Sequence, residues 1–261
     1  MPLQITEARI DRGVVKHTFN SPHRIEGSDG LLYVVKPRRN DRQFANEVLA
    51  AALGEALDLP MPDAALVTVD ELFRAASPTA AAKYELGIHF ATRFETNSWT
   101  FDNPAPALAI SEIRNLEKMY SLVAFDEVVA NVDRKTNVGN NMVVQVSESS
   151  PRYNYMALDH GHILTGPQWT PESLRGYDLA PIVPVFRFVE TCLTSLPRLQ
   201  EAAAELDALR EGFARIVSGL RTELSQEDQG AIVEFLRTRA AELPNWVVGE
   251  RYRQALGALQ P

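Results

Sequence analysis

Two polar stretches set into apolar sequence constrain this chain more than anything else in it. Asn131-Val132-Asp133-Arg134 runs on to Asn140-Asn141 and enters the apolar run Met142-Val143-Val144. Ala157-Leu158-Asp159-His160-Gly161 follows, where the next apolar run ends. Met142 to Val146 and Tyr155 to Leu158 read as a short hairpin that carries an Asn at one end and an Asp-x-Gly at the other. Phosphoryl-transfer chemistry of the protein-kinase type asks for this set. One Asp accepts the hydroxyl proton, an Asn holds one Mg²⁺, and a second Asp bridges metal and phosphates. Far upstream, Leu31-Leu32-Tyr33-Val34-Val35-Lys36 offers a Lys at the end of an apolar strand, where it can reach the α- and β-phosphates. Glu47 lies eleven positions later, placed to orient that Lys. The order Lys, Glu, Asp, Asn, Asp is the kinase order.

The flanking pattern suits an α+β chain. Residues 8 to 36 alternate apolar and polar with turn signals, which predicts short strands, and Gly27-Ser28-Asp29-Gly30 predicts a tight hairpin turn. Asp41 to Leu57 has helical spacing, with Phe44, Val48, Ala51, Ala52 and Ala56 along one side. Asp58-Leu59-Pro60-Met61-Pro62 ends it. Ala64 to Val69 and His89 to Phe94 read as strands, and the polar, Pro-containing residues 97 to 107 as a linker. Beyond it the chain is helix-rich, with helices expected over Ile110 to Tyr120, Leu122 to Val129, Leu199 to Leu224, Gln226 to Leu243 and Val247 to Leu256. Ser225 is a good N-cap, with acids in the first turn. Trp169, Phe186 and Trp246 read as core or interface aromatics.

Composition excludes several classes. A net charge of -8 over 261 residues argues against a protein that coats nucleic acid. A single cysteine, Cys192, leaves no intrachain disulfide framework or Cys-rich metal site. His160 and His162 have no Cys partner, and His17, His23 and His89 lie far away in sequence, so a structural zinc site is not expected. No Walker A, Gly-x-Gly-x-x-Gly or Gly-x-Ser-x-Gly element occurs. The N-terminus lacks a basic segment followed by an apolar run, and no apolar stretch approaches a membrane span. The expectation is a cytoplasmic protein without membrane or nucleic-acid partners.

Within the constellation some assignments stay open. Asp133 can take the acceptor proton, although an Asp in such a loop can equally serve an Asx-turn or cap. Arg134 can pair with Asp159 or with a phosphate. Asn137, Asn140 and Asn141 compete for the metal. Asn141 is preferred because it stands at the mouth of the strand, Asn140 is next, and Asn137 is nearer the usual spacing from the Asp. Asp159 is the strongest metal ligand, because Mg²⁺ takes hard oxygens from one or two carboxylates plus phosphates.

With these residues in hand, residues 8 to 170 resemble the HipA-like kinase family, in its short stand-alone branch. The likeness rests on Asp29 to Lys36, Asn46-Glu47-Val48-Leu49-Ala50, Leu59-Pro60-Met61-Pro62, His89-Phe90-Ala91-Thr92-Arg93-Phe94, Phe125 to Arg134 and Leu158-Asp159-His160-Gly161. The Asp-Arg pair is also distantly similar to phosphoinositide 3-kinases. The resemblance implies a two-lobed protein-kinase-like fold, with a β-rich N-lobe over residues 1–96 and a helical C-lobe over 97–261. It implies ATP with Mg²⁺ in the cleft and phosphoryl transfer to a Ser/Thr hydroxyl on a protein. Lys36 and Glu47 would serve the phosphates, Arg93-Phe94-Glu95 would form the hinge beside adenine, Asp133 would be the base, and Asn141 with Asp159 would hold the metal. Ser21, on the Gly-free segment Val15 to His23 in the phosphate-loop position, is counted with the nucleotide site and is a candidate autophosphorylation site. The alternative is a nucleotide-binding pseudokinase acting as a regulatory module. A small-molecule acceptor, AMP transfer and an antitoxin-like protein partner complete the expectations.

Overall fold

The computed structural model describes residues 3–15, 21–100, 112–136, 141–146, 153–182 and 195–257. Asn137, Asn140, Phe186, Cys192 and residues 16–20 of the phosphate-loop segment lie outside the described residues.

Strands β1 (Gln4–Val14), β2 (His23–Gly27), β3 (Leu32–Val35), β4 (Ala64–Val69) and β5 (Gly87–Arg93) close a barrel in the order β1-β2-β3-β5-β4. β1 runs antiparallel to β2 and parallel to β4, and that parallel pairing shuts the ring. The β2–β3 hairpin turns where its Gly-rich residues allow. Gly30 takes φ 78°, and Asp29 Oδ1 accepts the Leu31 N–H at 3.0 Å. Burial alternates along β2 and β3, with Ile25, Tyr33 and Val35 pointing inward, the two-residue period of a strand with one face in a core. Val67, Val69 and Ala91 meet them there. Between β4 and β5 lie the short helices α2 (Glu71–Ala76) and α3 (Pro78–Ala81).

Helix α1 (Asp41–Ala56) starts where Asn40 accepts the Gln43 N–H at 2.6 Å, which satisfies one of the unpaired amides of the first turn. Its burial is broader than the single stripe read from its periodicity. Phe44 through Ala50 are all buried, whereas Ala56 is exposed. The cause is packing on two sides. Phe44 and Val48 meet Leu66 and Phe90 of the barrel, while Leu49, Ala50 and Leu53 join the larger helical core.

A second sheet, β6 (Ser98–Thr100), β7 (Met142–Val146) and β8 (Tyr153–Ala157), is fully antiparallel in that order. The linker expected over 97–107 therefore begins as a strand. Ser98 to Thr100 cover the edge of β7, and residues 101–107 lie outside the described residues. The helix expected from Ile110 begins only at Lys118, as α4 (Lys118–Val128). Before it, Ile113 bridges Tyr153 and the Asn115 amide binds both backbone groups of Tyr155, accepting its N–H at 3.0 Å and donating to its carbonyl at 2.9 Å. The side chain thus completes the exposed edge of β8, which competes with helix formation.

Among the described residues the remaining helices are α5 (Asp133–Thr136), α6 (Pro171–Arg175), α7 (Leu196–Ala208), α8 (Phe213–Ser218), α9 (Gln226–Val247) and α10 (Glu250–Gly257). The single helix expected over 199–224 is broken by a 3₁₀ turn at Leu209–Gly212 and stops at Gly219. α9 runs through Pro244, and buried Leu243 and Val247 hold the turn around it in the core. Among the described residues no helix is long and apolar enough to cross a membrane.

Candidate active site

Lys36 leaves the end of β3, and its backbone N–H is fixed by the Phe90 carbonyl at 2.9 Å. Its ammonium touches Glu47 Oε1 from α1 and Asp159 Oδ1 at 3.0 Å, a partner 123 residues away. Glu47 is 5% exposed, Lys36 28% and Asp159 39%, so the trio opens to solvent on the Asp159 side. Burial alone would lower the Lys36 pKa, but Asp159 and Glu47 together hold it above its ordinary value. Burial pushes Glu47 up against the pull of Lys36. Asp159 is drawn down to about 2 by Lys36 in spite of its burial, so it is ionised near neutral pH. Glu47 Oε2 also accepts the backbone N–H of His160 at 3.3 Å. Gly161 comes so close to α1 that a Cβ there would stand 3.1 Å from Glu47 Oε1 and 3.0 Å from Gln43 Cγ. A side chain there would press on Gln43 and Glu47, so the close approach favours the glycine of Asp-x-Gly.

The base of the β7–β8 hairpin brings the other candidates together. Met142 pairs with Ala157, and one step further the Leu158 N–H donates to the Asn141 carbonyl at 2.7 Å. Asn141 and Asp159 therefore leave the ladder side by side. Both have positive φ, 51° and 55°, a left-handed conformation that Asn and Asp tolerate best after Gly. The Asn141 amide nitrogen donates to Asp133 Oδ2 at 2.9 Å. That bond turns Asp133 toward the hairpin; of the Asn141 side chain only the amide oxygen has the lone pairs to ligate a cation. An ionised, half-exposed carboxylate beside an amide oxygen is a hard-oxygen pair, the kind that holds Mg²⁺ together with phosphates and water. Among the described residues no group of three His, Cys, Asp or Glu gathers into a cage for a metal.

Arg134 does not pair with Asp159. It is fully buried and bound to Asp126, likewise fully buried, through both Nε and Nη2. Its Nη1 donates to the Asn141 carbonyl at 3.0 Å and its Nη2 to His160 Nε2 at 2.8 Å. Because Arg can only donate, His160 is neutral with its proton on Nδ1. Burial, then Arg134 and Lys36, hold its pKa well below the ordinary value. Asn131 Nδ2 completes the Asp126 carboxylate at 2.8 Å. Burial pushes Asp126 up, and Arg134 opposes it. Arg134 is thus a buried brace beneath the loop. The sequence carried a signal for this that spacing missed. Asp126-Glu127 sits inside an otherwise apolar helix, and buried carboxylates need partners.

The residues expected as the hinge are tied into the barrel by their backbone. The Arg93 N–H donates to the Asp63 carbonyl at 2.7 Å and the Phe94 N–H to that of Leu32 at 2.8 Å, so these two amides serve the barrel. The Arg93 side chain faces Asp63 at 3.5 Å, and the Phe94 ring lies 5.5 Å from the Arg24 guanidinium. Glu95 accepts from Gln145 at 2.7 Å, tying the barrel to the second sheet. Ser21 has φ 41°, and its carbonyl accepts from Lys83 Nζ at 2.5 Å, which anchors the residue before β2. A cavity of about 500 Å³ lies behind the trio, between α1, Phe90, Thr92 and Leu158-Asp159-His160.

A closed β-barrel carrying a Lys–Glu pair, set against a hairpin with Asp and Asn at its base, defines a kinase-like fold. Solved structures agree. The Helicobacter pylori proinflammatory kinase CtkA aligns with 99% of this chain and 100% of its own at TM-score 0.61 and 14% identity. A Golgi casein kinase aligns with 98% of this chain and 74% of its own at TM-score 0.51 and 11% identity. The profile of the HipA-like kinase family matches residues 9–165, more than half of the chain, and the protein belongs to that family. No curated protein matches it.

Proposed function

We propose that this kinase transfers the γ-phosphoryl group of ATP, with Mg²⁺, to a Ser or Thr hydroxyl on a protein. The observation that carries the reading is the assembled Lys36–Glu47–Asp159 trio beside the Asp133–Asn141 pair. In this reading residues 1–96 are the nucleotide-phosphate lobe and 97–261 the catalytic lobe. MgATP supplies the phosphoryl group and the charge that neutralises its oxygens in transfer. Lys36, held by Glu47, presents its ammonium to phosphate oxygens. Asp159 and the Asn141 amide oxygen hold the metal. Asp133, steadied through its second oxygen by Asn141, takes the proton of the incoming hydroxyl. Positioning and charge complementarity supply most of the rate in such chemistry. Ser21 is the first hydroxyl to examine as an acceptor in cis.

The test is a thermal-shift titration with ATP, with and without Mg²⁺, on the native chain and on Asp159→Asn. Metal-dependent stabilisation that the variant loses is the expected result. Labelled ATP then reports transfer, which Asp133→Asn should abolish while nucleotide binding persists. Binding without transfer to any protein, peptide or small hydroxyl compound would replace the enzyme reading with a nucleotide-binding regulatory module. No response to any nucleotide would end both.

A further inference from the structure

The residue before Glu47 holds more of the site than its neighbour's fame suggests. Asn46 is fully buried on α1. Its Oδ1 accepts the indole N–H of Trp169 at 2.9 Å, and its Nδ2 donates to the carbonyls of Gly161 and Ile163, both at 2.9 Å, and of Gly166 at 3.3 Å. The orientation of the amide is fixed by chemistry. An indole N–H can only donate and carbonyls can only accept, so no flipped amide satisfies the four partners. All four lie in the segment that follows Asp159.

That segment needs holding. Leu164, Thr165 and Gly166 have φ of 55°, 71° and 115° in succession, conformations that persist only where surrounding structure over-determines them. A further tie is the Leu164 N–H on the Val129 carbonyl at 2.7 Å, at the end of α4 just before the loop of Asp133. Consecutive residues of α1 therefore grip consecutive residues after Asp159. Glu47 takes the amide of His160, and Asn46 takes the carbonyl of Gly161.

We infer that Asn46 is a positioning residue for the metal-ligating Asp159, fixing it through the 161–169 segment and making metal-dependent nucleotide affinity depend on where α1 sits. The inference rests on the kinase reading above. Asn46→Asp is nearly isosteric. It keeps an acceptor for Trp169 but turns repulsive oxygen toward three carbonyls. Trp169→Phe is the second variant; it removes the N–H that orients the amide together with part of the buried indole, and leaves a smaller ring under Arg42, whose guanidinium lies 4.4 Å from the indole.

The experiment pairs hydrogen–deuterium exchange of the full chain, without nucleotide, with calorimetric titration of ATP in the presence and absence of Mg²⁺. Exchange in both variants should rise over 159–169 and stay native in β4 and β5. Mg²⁺-dependent ATP affinity should fall about tenfold in Asn46→Asp and less in Trp169→Phe, as expected for unsatisfied buried carbonyls. ATP affinity without Mg²⁺ should change little, a split that general unfolding would not give. Unchanged exchange over 159–169 in both variants overturns the clamp. Raised exchange with native Mg²⁺ dependence overturns the positioning role. Raised exchange in a chain whose native form binds no nucleotide overturns the functional reading, and with it the role given to Asn46, while leaving the clamp as a packing device.

Discussion

Replacing Arg134 with Met gives the sharpest test of how the catalytic loop is supported. In the variant, the fully buried Asp126 keeps only the Asn131 amide at 2.8 Å. A buried carboxylate that loses its cation can escape its charge by taking a proton. At pH 7 that costs about 1.4 kcal/mol for each unit above the ordinary value of 3.8, about 4 kcal/mol in all. The charge part of the loss cannot exceed this ceiling, which falls within the range of about 3–5 kcal/mol for broken buried pairs. Lost hydrogen bonds to Asn141 and His160 add about 1 kcal/mol at any pH. At pH 5 the same escape costs only about 2 kcal/mol. The sign follows from linkage. Asp126 in the variant has a folded pKa above its unfolded one, so the folded state binds a proton that the unfolded state releases, and the deficit shrinks as pH falls. Asp126→Asn is the contrast. It strands Arg134, which cannot deprotonate, so its deficit should not fade. Urea unfolding followed by circular dichroism at both pH values measures each loss. An Arg134→Met deficit below about 1 kcal/mol at pH 7, or an equal deficit at pH 5, would refute the argument.

Three further outcomes are expected. Lys36→Met removes the cation from Glu47 and Asp159 and should cost about 1.5–3 kcal/mol of nucleotide binding; calorimetry showing native affinity would separate Lys36 from the phosphates. His89 accepts the Arg38 N–H at Nδ1 and donates from Nε2 to the Glu85 carbonyl, and burial holds its pKa below 6.5. Its contribution is therefore complete above pH 6.5 and is lost as pH falls, at up to about 1.4 kcal/mol per unit, so His89→Gln should flatten the fall in urea midpoint between pH 7 and 5. Ser225 caps α9 and shares a capping box with Asp228, accepting its N–H at 3.0 Å; Ser225→Ala should lower unfolding free energy by about 1 kcal/mol, and a native denaturation curve would show the box to be without effect.

How far the sequence reached depends on the range of the forces involved. The Gly27–Gly30 turn, the Asn40-capped helix, the β7–β8 hairpin and the Ser225 cap are local, and local chemistry announces them. Family resemblance and spacing pointed to Lys36, Glu47, Asp133, Asn141 and Asp159, and the structure gathers them. What escaped was pairing at a distance. Arg134 could be assigned to Asp159 because its immediate neighbours do not say that Asp126, eight residues back on the preceding helix, is where its charge must go; the one hint was the acidic pair buried in that helix. The strand at Ser98–Thr100 and the Asn115 edge bracket were missed for the same reason. Both exist to cover open edges of a sheet whose partners are far along the chain.

The same helix explains why residues after 170, which carry no readable motif, bear on the site. Asp126 and Glu127 are consecutive, both fully buried, and face in different directions. Asp126 binds Arg134 and Asn131 under the catalytic loop. Glu127 accepts from Arg239 Nη2 at 3.0 Å, from the Ile182 N–H at 2.7 Å and from the Tyr252 hydroxyl at 2.8 Å, while its carbonyl takes Arg239 Nε at 2.9 Å. Arg239 has one buried nitrogen without a hydrogen-bond partner. Its guanidinium lies 4.8 Å from the Trp246 ring and 5.5 Å from that of Tyr177, so aromatic faces supply what hydrogen bonds do not. Two adjacent carboxylates on one rigid helix thus fasten the loop of Asp133 on one side and the terminal helices on the other. Since a buried charge deprived of its partner is costly, neither side can withdraw without straining the helix that holds the other. In this chain α9 and α10 belong to the support of the candidate site as much as to the core.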